Sequence, residues 1–262
     1  MSDATKRPSA NAPQARRYAL GRSRHIFVFV GASGEGVRPS VEGFFAEAMK
    51  RADWIVDIIT GPDHRIDPAL GWGRPDAVVN LAGGHLEKGP RRRAGVPVIN
   101  VSHTGRAGGV NIQMDDHAIG RMAGDFFLAR GFRRFAWIGS AEAQFARNRL
   151  AGYQETLSRA GRQPAVLNTA QSPGHGRLPP ARLLRRGVAE ARREPLAVLC
   201  HGDAVGRRFL IWCAGNGVNV PDDVAVLSIN NSLASCTSVR PGLSSIELPW
   251  EEAGRLSAET LD

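Results

Sequence analysis

Long apolar runs, lysine and paired cysteines are all scarce in this 262-residue chain, and each scarcity closes off a class of function. The longest apolar stretches, around Ile26–Val30 and Trp54–Ile59, fall well short of the roughly 18–20 residues a membrane span needs, so no contact with a membrane is expected. Met1–Arg24 holds basic and small polar residues but no apolar stretch of the kind a secretory signal carries, which points to a cytoplasmic location. Cys200, Cys213 and Cys236 form no CxxC pair and are odd in number, which suits reduced thiols rather than a disulfide framework. Cys200-His201 with Asp203 is adjacency in sequence, whereas a nucleophile and its base need geometry in space. GxSxG, HExxH and paired metal-ligand spacings are missing as well, so no catalytic residue, metal or cofactor is expected.

Lysine is confined to positions 6, 50 and 88, so 31 of the 34 basic residues are arginine and the formal charge is +9. Six basic residues lie in the tail, and pairs such as Arg133–Arg134 and Arg207–Arg208 read as solvated faces; direct contact of this segment with nucleic acid is the lesser reading.

What is present is alternation. Apolar runs near Ile26–Val30, Trp54–Ile59, Ala77–Leu81, Val96–Val101, Phe135–Ile138, Ala165–Leu167, Leu196–Cys200 and Val224–Ile229 are separated by helical patterns. Continuous apolar strands divided by helices imply parallel sheets covered on both faces, hence a doubly wound α/β fold. After Pro39 and a cap at Ser40, residues Val41, Phe44, Phe45, Ala48 and Met49 share one helical face. Asp115 and Asp116 precede a second helix with Ile119, Met122, Ala123 and Phe126 inward and Gly131 at its end. Phe29-Val-Gly-Ala-Ser33 followed by Val41-Glu-Gly-Phe-Phe45 is echoed by Trp137-Ile-Gly-Ser-Ala141 followed by Leu150-Ala-Gly-Tyr-Gln154. The pairs Gly31/Gly43 and Gly139/Gly152 mark a repeated strand, loop and helix unit, and two similar lobes explain it.

The glycines Gly31, Gly34 and Gly36 form GxxGxG rather than the dinucleotide pattern GxGxxG, and they stand ahead of the expected helix start. More specific is an ordered set. It runs Val110-Asn-Ile-Gln-Met-Asp-Asp116, Arg130-Gly-Phe-Arg-Arg-Phe-Ala-Trp-Ile-Gly139, Arg149-Leu-Ala-Gly-Tyr153, Cys200-His-Gly-Asp-Ala204, Gly217 through Val226, and Pro241 through Ile246. Together these resemble the sensor domain of the LacI/GalR regulators, over about residues 25–262. The resemblance implies a periplasmic-binding-protein-like fold of type I, with two Rossmann-like lobes closing on a small molecule, commonly a sugar. Residues 25–113 and 248–262 would form the N-terminal lobe and 114–247 the C-terminal lobe, after a disordered basic tail at 1–24. The hinge would fall at Met114 and Asp115 and again at Glu247 and Pro249.

On the same resemblance, Arg149 matches an arginine that holds sugar hydroxyls or a carboxylate, a task suited to a fork of donors. Asp203 matches an acceptor for paired hydroxyls and also suits a helix N-cap, and Asn230 stands where the family usually carries aspartate. In the first lobe Ser33, Glu35 and Arg38 follow strand one, while His85 and His103 follow strands three and four; all five are candidate ligand contacts. Trp72 and Trp250 are candidate aromatic platforms, whereas Trp54, Trp137 and Trp212 read as core. The layout is similar to the xylose-operon activators of the AraC type, which implies a DNA-binding domain following the sensor. The pattern also expects one more strand and a third crossover beyond Asp262. A homodimer through the helix at 41–51 is implied, with a monosaccharide effector. A transport receptor and a nucleotide- or sugar-processing enzyme are the rival classes.

Overall fold

β-Branched and aliphatic runs too short to make helices pair side by side, and the amphipathic segments between them cover the two faces. The computed structural model describes residues 23–31, 36–61, 75–81, 95–101, 109–140, 142–169, 178–189 and 191–261. The first sheet contains β1 (Arg24–Gly31), β2 (Trp54–Gly61), β3 (Ala77–Asn80), β4 (Val98–Val101) and β5 (Val110–Ile112), in the order β2-β1-β3-β4-β5. The second contains β6 (Arg134–Gly139), β7 (Pro164–Asn168), β8 (Leu196–Cys200), β9 (Val224–Asn230) and β10 (Ser244–Glu247), in the order β10-β9-β8-β6-β7. Both sheets are parallel throughout; Ile26 of β1 registers with Val56 on one side and Ala77 on the other. The helices are α1 (Val37–Ala48), α2 (Asp116–Ala129), α3 (Gln144–Arg159), α4 (Ala181–Val188), α5 (Asp203–Gly215), α6 (Leu233–Thr237) and α7 (Trp250–Glu259). The doubly wound α/β class expected from the alternation is what the chain adopts.

Between the sheets the chain passes first through residues 113–115 and returns through Leu248 and Pro249. The returning segment becomes α7, which packs on α1 and reaches β4 and β5 of the first sheet. On the second sheet α2 lies against α3, although α2 follows β5 directly in sequence. Each sheet with its covering helices is a lobe. Trp137, Tyr153, Phe127, Phe44 and Phe209 are fully buried, each such ring worth about 1.5–3 kcal/mol of apolar transfer.

Glycine sets the closeness of both helix pairs. A Cβ on Gly43 would lie 1.9 Å from the Glu251 carbonyl oxygen, and one on Gly254 would lie 1.9 Å from the Ser40 oxygen. The α2–α3 pair repeats this: Gly120 against the Arg149 oxygen at 1.9 Å and Gly152 against the His117 oxygen at 2.0 Å. The repeated glycines legible in the sequence, Gly43 and Gly152, are therefore places where backbone meets backbone.

Three details differ from the sequence reading. Helix α1 starts at Val37 with Gly36 as its cap, so Ser40 is a buried residue of the helix rather than its cap. Pro39 sits in the first turn, where a residue without N–H costs nothing. The strands β5 and β10, Val-Asn-Ile and Ser-Ser-Ile-Glu, are edge strands too short and polar to stand out as apolar runs. Trp54 is half-buried at the start of β2, with the Arg24 and Arg51 guanidinium groups 5.6 and 5.5 Å from its ring centre. Helix α2 keeps its expected ends, with Asp115 Oδ1 accepting from the Ala118 N–H at 2.8 Å and Gly131 at φ +79° just past it, but of the residues expected inward Ile119 and Ala123 are buried and Phe126 half-buried, whereas Met122 is 56% exposed. Among the described residues no helix is long and apolar enough to cross a membrane.

Candidate functional site

In open parallel sheets the ends of strands and the starts of the following helices converge on one crevice, and polar side chains there are the first place to look for a ligand site. At the carboxyl ends of β6 and β8 the sequence supplies Ser140, His201 and Gly202, and the start of α3 turns Phe145 and Arg149 toward them.

Arg149 is 1% exposed. Its Nε donates to Asp116 Oδ1 at 2.8 Å and its Nη1 to the His201 carbonyl oxygen at 2.6 Å. The guanidinium also lies 4.9 Å from the centre of the Phe145 ring. Asp116 is the first residue of α2, immediately after the first crossover, so the Arg149 side chain ties the start of that helix to the end of β8. Burial pushes the Asp116 carboxyl above its ordinary value even though the Arg149 guanidinium pulls the other way.

His201, which the sequence reading discounted as part of a catalytic set, is at the centre of this corner. Its Nδ1 accepts the Ser140 N–H at 2.9 Å, and its ring meets Trp137 edge-on at 6.4 Å and Phe145 at 5.8 Å. Only the adjacent Gly139 makes room for the Trp137 indole: a Cβ there would sit 2.6 Å from Trp137 Nε1. The sequence carries His201 within Cys200-His-Gly-Asp-Ala204 but not its contact, which comes from a neighbouring strand end 61 residues away.

Asp203 is 0% exposed at the start of α5. Its Oδ1 accepts from the Ser245 hydroxyl at 2.6 Å and from the Ser228 hydroxyl, and its Oδ2 accepts from the Ser232 N–H at 2.6 Å. The carboxylate thus fastens β9, β10 and the loop before α6 to α5. Internal donors reach both oxygens of the carboxylate that was expected to accept from effector hydroxyls. It does not cap its helix by a side-chain bond.

Asn230 ends β9 at φ +121° and Asn231 follows at φ +54°, a pair of left-handed residues where the chain turns toward α6. Such conformations cost of order 1–3 kcal/mol and cluster at ligand clamps. Asn230 lines a cleft of about 840 Å³ with Arg38 and Glu42 of α1, Glu247 and Pro249 of the second crossover, and Trp250. Arg38 is exposed and pairs with Glu42 at 2.8 Å. Trp250 is 8% exposed and lies flat against Gly36, where a Cβ would meet its Cδ2 at 2.3 Å. Met114 is half-buried, while Asp115, Glu247 and Pro249 are exposed. The structure therefore gathers Arg38, Asn230, Glu247 and Pro249 in one cleft and Arg149 in a separate buried corner. Ser33, Glu35, His85 and His103, like Trp72, lie outside the described residues.

The thiols offer no nucleophile. All three cysteines are buried. Burial pushes Cys200 far up and Cys213 up to about 12, so neither forms the reactive thiolate near neutrality.

Comparison with known proteins matches residues 125–262 to the model of the periplasmic binding protein-like domain. The HTH-type transcriptional regulator GntR of Pseudomonas aeruginosa is 30% identical over 170 residues, which cover 64% of this chain and 49% of that protein. The chain spans about half the length of the curated relatives it matches. Among solved structures, a PurR family transcriptional regulator from Vibrio parahaemolyticus superposes with a TM-score of 0.69 at 20% identity, covering 90% of this chain and 92% of that one. The complex of the transcriptional regulator CelR with cellobiose gives a TM-score of 0.67 at 23% identity, covering 91% and 78%. The xylose-binding transcription activator xylR gives 0.68 at 16%, covering 92% and 63%.

Proposed function

This chain belongs to the periplasmic binding protein-like domain family, and from that premise we propose that it is the effector-sensing part of a bacterial transcription regulator of the LacI/PurR kind. The observation that carries the reading is the joint between the lobes. Two single-segment crossovers connect two parallel sheets, and the buried Asp116–Arg149 pair stands where the first crossover enters the second lobe. A ligand bridging the strand ends of both lobes would favour the closed arrangement through unequal affinity for the two states.

A sugar is the effector class this reading favours, since a similar fold is recorded with cellobiose and another belongs to a xylose-binding activator. Arg149, Asn230 and Arg38 remain the proposed contacts from the described residues, with Ser33, Glu35, His85 and His103 from the loops outside them. Asp203 acts from behind, holding the Ser228 and Ser245 hydroxyls in place. DNA would be bound by another part of the full protein. The AraC-type partner expected from the sequence gives way here, because the curated relatives carry the names GntR, CelR and PurR. A homodimer through α1 fits Met49, which is 79% exposed just past the end of that helix.

A thermal-shift screen of pentoses, hexoses, disaccharides and sugar acids, followed by small-angle scattering on each hit, tests the proposal. A stabilising sugar that also compacts the chain supports it. A hit that binds without compaction removes lobe closure, and turnover of the bound sugar would put an enzyme in its place.

A further inference from the structure

A parallel sheet starts all its strands at one end, so the turns leading into them collect on one face of the lobe, opposite the crevice. In the second lobe β7, β6 and β8 are neighbours, with Phe135 opposite Pro164 and Arg134 opposite Leu196. Arginine stands at each of these three strand starts: Arg162 ahead of β7, Arg133 and Arg134 at β6, and Arg192 and Arg193 ahead of β8. The Arg134 Nη1 donates to the Glu194 carbonyl oxygen at 3.1 Å, which ties the second group to the third. Strands about 4.8 Å apart set the three groups in a row about 10 Å across at the backbone.

Acids do not neutralise this row. Arg133, Arg162, Arg192 and Arg193 are exposed, and the guanidinium groups of Arg133, Arg162 and Arg193 meet no carboxylate among the described residues. Arg192 Nη2 donates to the Gly217 carbonyl oxygen at 3.1 Å, a bond that steadies the side chain and leaves its charge in place. Elsewhere arginines are matched by acids: Arg38 by Glu42, Arg51 by Glu47, Arg149 by Asp116 and Arg255 by Glu252. In the turns that precede β6 to β9 the exposed carboxylates among the described residues are Glu194 and Asp222, since Asp223 is buried and accepts the Asn219 N–H at 2.8 Å.

We infer that this end of the second lobe binds the phosphate backbone of double-stranded DNA, a contact blind to base sequence and additional to the DNA-reading part proposed above. The guanidinium fork matches phosphate oxygens, and a row of about 10 Å spans about three phosphates of one strand. An acidic protein suits the surface less, because such an interface needs an apolar centre and none of the exposed large apolar side chains lies in these turns. The sequence reading took Arg133–Arg134 as a solvated face, since arginines from three separate turns make no pattern along the chain; the sheet lines them up. Lying opposite the crevice, the contact does not compete with an effector and does not depend on one.

The test is fluorescence anisotropy of the full chain with a short labelled DNA duplex of arbitrary sequence, between about 50 and 200 mM salt. Wild type is compared with the triple variant Arg133→Gln, Arg162→Gln, Arg193→Gln and with a tail variant of equal charge loss, Lys6→Gln, Arg7→Gln, Arg16→Gln. The turn variant should bind about tenfold or more weakly and lower the slope of log affinity against log salt by about three, and Arg162→Gln alone should lower it by about one. The tail variant should stay within about threefold of wild type. Because the three arginines are exposed, the turn variant should melt with wild type. Equal losses in the two triple variants overturn the inference, since they assign binding to diffuse net charge, and so does a loss confined to the tail variant. Absence of duplex binding by wild type at the lowest salt also overturns it. Displacement of the duplex by polyglutamate at equal charge concentration overturns the nucleic-acid assignment in favour of an acidic protein. Each of these results leaves the effector reading untouched.

Discussion

In the second lobe α2 and α3 meet through Gly120 and Gly152, and in the first lobe α7 and α1 meet through Gly254 and Gly43, so the two helix pairs occupy equivalent places. What lies one turn away differs. Three residues before the glycine stands Arg149 in α3 and Ser40 in α1; four residues before it stands Asp116 in α2 and Trp250 in α7. The same backbone contact is thus crowned by a buried ion pair in one lobe and by a hydroxyl and an indole in the other. An ion pair is not needed to pack such helices, since the first lobe does without one, so its presence in the second asks for another reason. Its place against the strand-end crevice and the first crossover supplies that reason.

Breaking the pair should have the largest effect. Arg149→Ala or Asp116→Ala leaves one buried charge without its partner and should cost about 3–5 kcal/mol in denaturant unfolding. Ser40→Ala, the counterpart in the first lobe, should cost no more than about 1 kcal/mol. The double change Asp116→Leu with Arg149→Met should restore most of the stability while abolishing any effector response, and a double variant as unstable as the single ones would mean that the charges are needed for folding itself.

The glycines test the likeness of the lobes instead of their difference. Gly152→Ala and Gly254→Ala each force backbone away from backbone, with an expected cost of about 1–3 kcal/mol. Similar losses by thermal melting are expected, whereas tolerance of one and not the other would end the equivalence.

Acid should act on the lobes with opposite sign. Glu47 at the end of α1 is held below its ordinary value by the Lys50 ammonium and then the Arg51 guanidinium. It therefore contributes stability that is present above 4.5 and is lost as pH falls through its lowered native value. Asp116 is raised, so the folded chain takes up its proton before the unfolded chain does, and stability is gained as pH falls through the raised value toward 3.8. Urea unfolding from pH 7 to 3 should show the gap between wild type and Glu47→Gln closing and the gap between wild type and Asp116→Asn moving the other way. Parallel trends would contradict the assignment of burial as the dominant influence on Asp116.

The smallest effect belongs to Arg38→Ala. Its ion pair with Glu42 is exposed, and the melting temperature should not move measurably. Any consequence should appear only in ligand binding at the cleft.

Much of this architecture was legible in order. Leu196–Cys200 coincides with β8, and Phe135–Ile138 sits inside β6, because central strands buried on both faces must be continuously apolar. Asp115 and Gly131 marked both ends of α2 because a cap and a left-handed turn each demand a particular residue. Edge strands β5 and β10 escaped notice, since half of their surface is free to be polar. The site divided in the same way. Arg149 was readable through its position before Gly152, but its partner Asp116 and neighbour His201 were not, because nothing in a single chain announces which strand ends will touch. Asp203 stood out in the sequence, but its internal partners did not: three donors arrive from residues 25 to 42 positions later, and no local pattern records them.

The interlocked glycines carry one more consequence. With a carbonyl of each helix seated in the glycine notch of the other, axial sliding by a single residue would drive a side chain into backbone. Neither pair can therefore move by shear, and each must travel as one solid piece. Among the described residues, displacement by a ligand should then fall on 113–115 and 248–249, so amide exchange on binding should change there while the facing surfaces of α2 with α3 and α1 with α7 stay protected.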